Sequence, residues 1–314
     1  MLSGYVALTD FSWYEFLRGR YRSEGIDEVN FWKPSGQPFK AIAAGEPVLF
    51  KLKAPRNAIG GWGLSARAAV LPDWLAWDAF GFGNGTADRD TLLSKLRSYR
   101  QKNGMKPSEL AQVTCIAVTN PVFFDDQDWV RAPSDWSTSI VSGKTYDLER
   151  GEGQRIWREC LDRAQGPASA SAIGVNDREG RYAAPRLVKQ RLGQGTFKMT
   201  LVDAYERACA VTNEHSLPVL EAAHIVPYAK GGEHSTRNGM LLRRDLHTLF
   251  DMGYLTVSPE YRLELSPRLR QDYGNGRLYE SYHGNPITVP KNPKDRPDPQ
   301  LLDWHGKTIF LRAS

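Results

Sequence analysis

At 314 residues, with 41% hydrophobic and 25% charged side chains, the chain has the proportions of a soluble globular protein and the length for two cores, which excludes a wholly disordered chain. No apolar run approaches the roughly eighteen residues of a membrane span, and MLSGYVALTDFSWYEF lacks the basic flank and continuous apolar core of a secretory signal, so no membrane and a cytoplasmic location are expected. Cys115, Cys160 and Cys209 lie far apart, which excludes a CxxC knuckle and a disulfide framework, while a net charge of +5 permits contact with a polyanion without demanding it.

In chain order, EPVLFKLK (46–53), AAVL (68–71) and QVTCIAVTNPVFF (112–124) are rich in strand formers and predict a β-rich first half. Between them, TADRDTLLSKLRSYRQK predicts a helix from about residue 87, with Thr86 and Asp88 as candidate caps. In AQGPASASAIGVNDREGRYAAP (164–185) large apolar residues nearly vanish, and this is the expected linker between domains at 1–163 and 186–314. GTFKMTLVDAYERA then predicts a helix whose Phe197, Leu201 and Tyr205 form one buried stripe. The proline-rich PITVPKNPKDRPDPQ reads as extended, and LLDWHGKTIFLRAS as a terminal strand.

Residues 219–251 change character three times. VLEAAHIVPY is strand-like, AKGGEHSTRNG is a glycine-containing loop, MLL is a short strand and RRDLHTLFD is helical. His224, Asn238 and His247 fall on this sequence in a chain with only six histidines. A lone histidine in a strand is more often a hydrogen-bonded core or surface residue, so the ordered set, rather than any one member, carries the reading.

This order, over about 182–262, resembles the HNH endonuclease family, and CAVTNEHSLPVLEAAH with NGMLLRRDLHTLFD is similar to HNH proteins of bacterial restriction. The resemblance implies a ββα-metal unit in which His224 is the general base, Asn238 braces the loop and His247 binds one divalent ion. Asp251 shares the helical face of His247. Where the family commonly has a metal-binding Asp or His before the base, this chain has Ala223, and either Glu221 or Asp251 then completes the protein's share of the metal shell. Carboxylate, imidazole and phosphate oxygen suit Mg2+ or Mn2+. Only Cys209 stands in this region, so no structural zinc is expected.

Seven of the nine tryptophans lie in the first half, where core packing is the default role for each. EVNFWKPS, GEPVLFKLKAPRNAIGGWGL, LAWDAFGFGNG and IVSGKTYDL resemble, through short motifs, the EVE and related domains of the PUA superfamily, which like SRA domains occur fused to HNH nucleases that restrict modified DNA. The resemblance implies a pocket for a flipped base, with Asn30, Phe31, Trp32, Trp62 and Trp77 as candidates; Lys51, Lys53, Arg56 and Arg67 are candidates for a phosphate track.

The expected fold class is α+β: a β-rich, PUA-like N-terminal domain with flanking helices, joined to a C-terminal ββα-metal domain. The expected function is a modification-dependent restriction endonuclease that reads 5-methyl- or 5-hydroxymethylcytosine in double-stranded DNA by base flipping. A homodimer is expected, since each HNH site cuts one strand. The alternatives are a nuclease specific for unmodified sequence and a nucleic-acid-binding module whose nuclease half is inactive.

Overall fold

The computed structural model describes residues 2–105, 111–164, 193–274 and 276–312. They form two compact units, Met1–Gly195 and Thr196–Ser314. The fold is α+β, and no helix of the described residues is long and apolar enough to cross a membrane.

The first unit runs β1 (Ser3–Thr9), α1 (Phe11–Glu24), β2 (Glu28–Lys33), β3 (Pro47–Leu52), β4 (Ala58–Pro72), α2 (Asp73–Phe80), α3 (Arg89–Lys102), β5 (Gln112–Phe123), β6 (Val130–Arg131), β7 (Gly143–Asp147) and α4 (Gly151–Ala164). Among the described residues the strands make one sheet in the order β2-β5-β4-β3-β1-β7, with β6 paired to β4. Among the described residues of this sheet, only β1 and β3 pair in parallel.

Central position explains the continuous apolar run of β3, which is buried at every residue. Because strand side chains alternate, Val48, Phe50 and Leu52 join Trp13, Tyr14 and Leu17 of α1, whereas Leu49 joins Ile156 and Trp157 of α4. Trp13 meets Phe50 edge-on at 5.3 Å, and Trp62 meets Trp157 edge-on at 4.9 Å. Burying each such side chain stabilises the unit by about 1.5–3 kcal/mol.

The glycine pair before Trp62 lies within β4 rather than in a turn. A Cβ at Gly60 would stand 2.6 Å from the ring of Tyr14, and one at Gly61 only 2.1 Å from the Val122 carbonyl oxygen. The pair therefore admits the packing of α1 and β5. Tyr14 uses that space: its hydroxyl donates to the Phe124 carbonyl at 2.7 Å and accepts from Trp129 Nε1 at 3.0 Å.

Helix α3 starts where the sequence predicts, with the Asp88 carboxylate accepting from the Thr91 amide at 2.7 Å. The expected linker lies outside the described residues except for Ala164, which ends α4.

From α5 (Gln194–Ala204) onward follow β8 (Leu220–His224), β9 (Gly239–Arg243), α6 (Arg244–Asp251), β10 (Leu255–Val257), β11 (Leu263–Leu265), α7 (Arg268–Tyr273), α8 (Arg277–Glu280) and α9 (Pro299–Thr308). Phe197, Leu201 and Tyr205 are buried with Leu241, Leu246 and Phe250 in the second core. The chain expected to return as a terminal strand is instead α9. Asp298 accepts from the Gln300 amide at 3.0 Å, Pro299 supplies a fixed first φ, and these start signals outweigh the strand-forming residues at the far end.

In the first unit, fully buried Asn84 accepts from Asn30 Nδ2 at 2.8 Å and donates to the carbonyls of Ala76 at 3.0 Å and Gly81 at 2.9 Å. Replacing it leaves several buried polar groups without partners, so Asn84→Ala is expected to lower stability by about 2–3 kcal/mol, read as a fall in the urea midpoint of the first unit's transition.

Candidate active site

Strands β8 and β9 pair antiparallel, with Ala223 opposite Met240 and His224 opposite Gly239, and α6 follows β9 without a connecting loop. The strand thus presents His224 and Glu221, and the helix presents His247 and Asp251. The segment between the two strands has to return within fourteen residues, and Asn238 closes it.

Asn238 is 2% exposed. Its Oδ1 accepts from the Val226 amide at 2.8 Å, and its Nδ2 donates to the carbonyls of Val226 at 3.0 Å and Glu233 at 2.9 Å. Its own carbonyl accepts from the Ile225 amide at 3.0 Å. The brace therefore acts on the backbone immediately after His224. Gly232 is required for the same closure, since a Cβ there would stand 1.9 Å from the Val226 carbonyl oxygen.

The His224 ring lies parallel to Phe197, with centroids 4.0 Å apart and planes at 14°. Gly239 leaves room for this stack: a Cβ at that position would stand 2.6 Å from the Phe197 ring. On the other side His224 Nε2 lies 2.9 Å from Nδ1 of His234, and the His234 ring in turn stacks on Tyr228 at 4.6 Å. Burial, with the neighbouring charges of His234 and His247, lowers the His224 pKa to about 4, and burial lowers that of His234 too. His224 is therefore neutral at pH 7, the form a general base requires.

His247 stands between two carboxylates. Its Nδ1 is 2.9 Å from Glu221 Oε2 and its Nε2 is 3.3 Å from Asp251 Oδ2, while Arg244 Nε donates to Glu221 Oε1 at 2.6 Å. Burial opposes ionisation of Glu221, but the hydrogen bonds and charges of His247 and Arg244 prevail and hold its pKa below the usual value. Burial raises Asp251, with His247 opposing and Glu221 adding to the rise.

These donors fit a divalent cation chemically. One imidazole and two carboxylates are ligand types that a divalent cation takes, and the two negative groups across one ring favour a cation at one side. Among the described residues no group of three or more His, Cys, Asp or Glu side chains is arranged to hold a metal ion. The two carboxylates sit on opposite edges of the His247 ring, so one ion can share His247 with Glu221 or with Asp251 but not with both in this rotamer. Ala223 is fully buried in the core.

The base-pocket candidates are dispersed. Asn30 is fully buried and bound to Asn84 and to the Ile116 amide at 3.1 Å; Phe31 is 8% and Trp62 3% exposed. Asn30 has its amide bonded inside the fold and Phe31 and Trp62 have their rings buried, so these three serve the core, a correction to their placement in a pocket. Half-buried Trp32 donates from Nε1 to the Asn84 carbonyl at 2.9 Å. Trp77 is half-buried in a cleft of about 540 Å3 that Phe80, Phe82 and Arg20 also line. Lys51 is 3% exposed with its ammonium on Asn57 Oδ1 at 3.0 Å, so it does not form an open phosphate track.

Sequence reasoning missed His234 and Tyr228 as neighbours of the site and assigned Phe197 to the core alone, while Arg244, read as a solvated helix start open to phosphate contact, lies against Glu221. The scarcity of histidine in the chain was the one available signal for His234.

Residues 209–258 match the family model described as HNH endonuclease, and the second unit carries this endonuclease domain. Among solved structures, a point mutant of the ASCH protein from Zymomonas mobilis is similar at 11% identity and TM-score 0.29, covering 48% of this chain and 93% of that one. The modification dependent TagI restriction endonuclease is similar at 12% identity and TM-score 0.31, covering 90% of this chain and 75% of that one. No curated protein matches the chain. The family match and the ββα geometry carry the assignment.

Neutral histidines in the second unit tie its stability to pH. His305, 2% exposed, donates from Nε2 to the Phe250 carbonyl at 3.2 Å and contacts Thr256 Oγ1 at 2.8 Å, and burial lowers its pKa to about 4, as at His224. Both values fall below the unfolded value of about 6.5, so the unfolded chain binds more protons between the two; the contribution of these neutral rings to stability is full above pH 6.5 and is lost as pH falls towards 4. Melting temperatures at pH 7.5, 6 and 5 should decline in that order, and a constant value would show that these rings are not held neutral.

Proposed function

We propose that the protein is a modification-dependent restriction endonuclease that hydrolyses DNA at the site around His224. The observation that carries the reading is the imidazole of His224 on β8, stacked on Phe197, with the Glu221–His247–Asp251 chain inside the same residues that match the HNH endonuclease model.

In the reaction, His224 takes a proton from water as the water oxygen forms a bond to phosphorus, and the bond from phosphorus to the leaving deoxyribose oxygen breaks, that oxygen taking a proton from solvent. Asn238 and Phe197 keep the base in place, one through backbone and the other through its ring. Mg2+ or Mn2+, held by His247 with Glu221 or Asp251, would supply Lewis acidity to the phosphate. Arg244, on the exposed side of Glu221, suits a phosphate contact. Two copies would be needed for both strands, which supports a homodimer.

The first unit supplies recognition in this reading. Its motifs resemble those of modified-base readers, and Trp77, Phe80 and Phe82 offer ring faces around a cleft. A flipped 5-methyl- or 5-hydroxymethylcytosine needs such faces together with hydrogen bonds to its pairing edge. The loss of Asn30, Phe31 and Trp62 to the core narrows the base contacts to Trp32 and Trp77 and keeps the reading of unmodified sequence as the competing one.

Three plasmids, carrying 5-methylcytosine, 5-hydroxymethylcytosine or no modification, distinguish these readings with Mg2+ or Mn2+ present. Preferential cutting of a modified plasmid is expected, and equal cutting of all three would leave a nuclease without modification dependence. His224→Ala should lower the cleavage rate about 10²- to 10⁴-fold while DNA binding persists. Glu221→Gln and Asp251→Asn assign the second metal ligand: the variant that raises the half-saturating metal concentration about 10- to 100-fold marks it, and no change in either removes both from the metal shell.

A further inference from the structure

A second histidine touches the base, and the hydrogen bond between them has only one productive direction. His224 Nε2 and His234 Nδ1 are 2.9 Å apart, and one of them must be the donor. If His234 donates, neutral His224 spends its only lone pair on that bond and carries its proton on Nδ1, leaving no nitrogen to receive a proton from water. If His224 donates from Nε2, its Nδ1 lone pair is free.

Three contacts hold His234 where it can accept. Tyr228 stacks on its ring with planes at 13°. Asn238 Nδ2 fixes the carbonyl of Glu233, the residue before it, and the same carbonyl accepts from the Ser235 amide at 3.0 Å. Asn238 therefore positions both members of the pair, through the chain after His224 and the chain around His234.

We propose that His234 is a positioning residue that accepts a hydrogen bond from Nε2 of His224 and so makes Nδ1 of His224 the atom that takes the proton. The inference rests on the reading of His224 as base. It gives Nε2 a fixed duty: when Nδ1 takes up a proton, the imidazolium remains bonded to His234 through Nε2–H.

Full-length protein labelled with 15N-histidine reads the tautomer without reference to cleavage. His224 should show protonated Nε2 and unprotonated Nδ1; protonated Nδ1 would overturn the proposal. In cleavage assays His234→Ala should lower kcat about 10- to 100-fold with KM and melting temperature little changed. His234→Asn places an acceptor oxygen near the position of Nδ1 and should recover most of the rate. Wild-type rates in the Ala variant, or an Asn variant no faster than Ala, would overturn the role. If wild-type protein cuts no DNA, the nuclease reading fails while the 15N spectrum still decides the direction of the hydrogen bond.

Discussion

The side-chain amide of Asn238 is the contact on which the nuclease unit depends. A loop that joins two short antiparallel strands leaves backbone donors and acceptors that water cannot reach, and each costs stability unless paired. One amide pairs with both polar groups of Val226 and with the Glu233 carbonyl. A rigid β8 end is the result, and only on a rigid strand end can Phe197 and His234 hold an imidazole between them. Aspartate has a similar shape but lacks the two donors that reach the carbonyls of Val226 and Glu233, so amide chemistry matters here as well as size.

Around His247 the organising force is charge. Two carboxylates flank a single ring, and Arg244 neutralises part of one of them. Such an arrangement has little value as a stability device, because like charges brought together oppose folding. It has value as a receptor for positive charge. The first unit shows the reverse case: its aromatic residues are spent chiefly on packing, with Trp13, Phe31 and Trp62 buried between sheet and helices, and only a few ring faces remain for a ligand.

Much of this was legible in the sequence. The strand, loop, strand and helix over 219–251 follow from changes of period and polarity, and the helix from Asp88 follows from its cap. The face of a tryptophan is a different matter. Aromatic abundance marks a packed domain, but β-alternation alone does not tell whether Trp62 meets α4 or solvent, because both faces of this sheet are covered. His234 was hidden because a loop histidine belongs to no period, and its value comes from a rotamer set by Tyr228. Helix α9 was hidden because its strand-like residues are local whereas the contacts that keep it helical, Leu302 and His305 in the core, are not.

Helix α9 also bears on when the site is complete. The His305 ring covers Phe250 of α6 at 3.7 Å and caps its carbonyl from 55 residues further along the chain. During synthesis α6 therefore leaves the ribosome well before its cover exists. A chain cut short or clipped ahead of α9 keeps every residue of the HNH match yet leaves the back of the helix that bears His247 open to water. An enzyme that attacks DNA thus has its site helix packed from one side by earlier chain, through Phe197 and Leu201, and covered at Phe250 only when α9 is made.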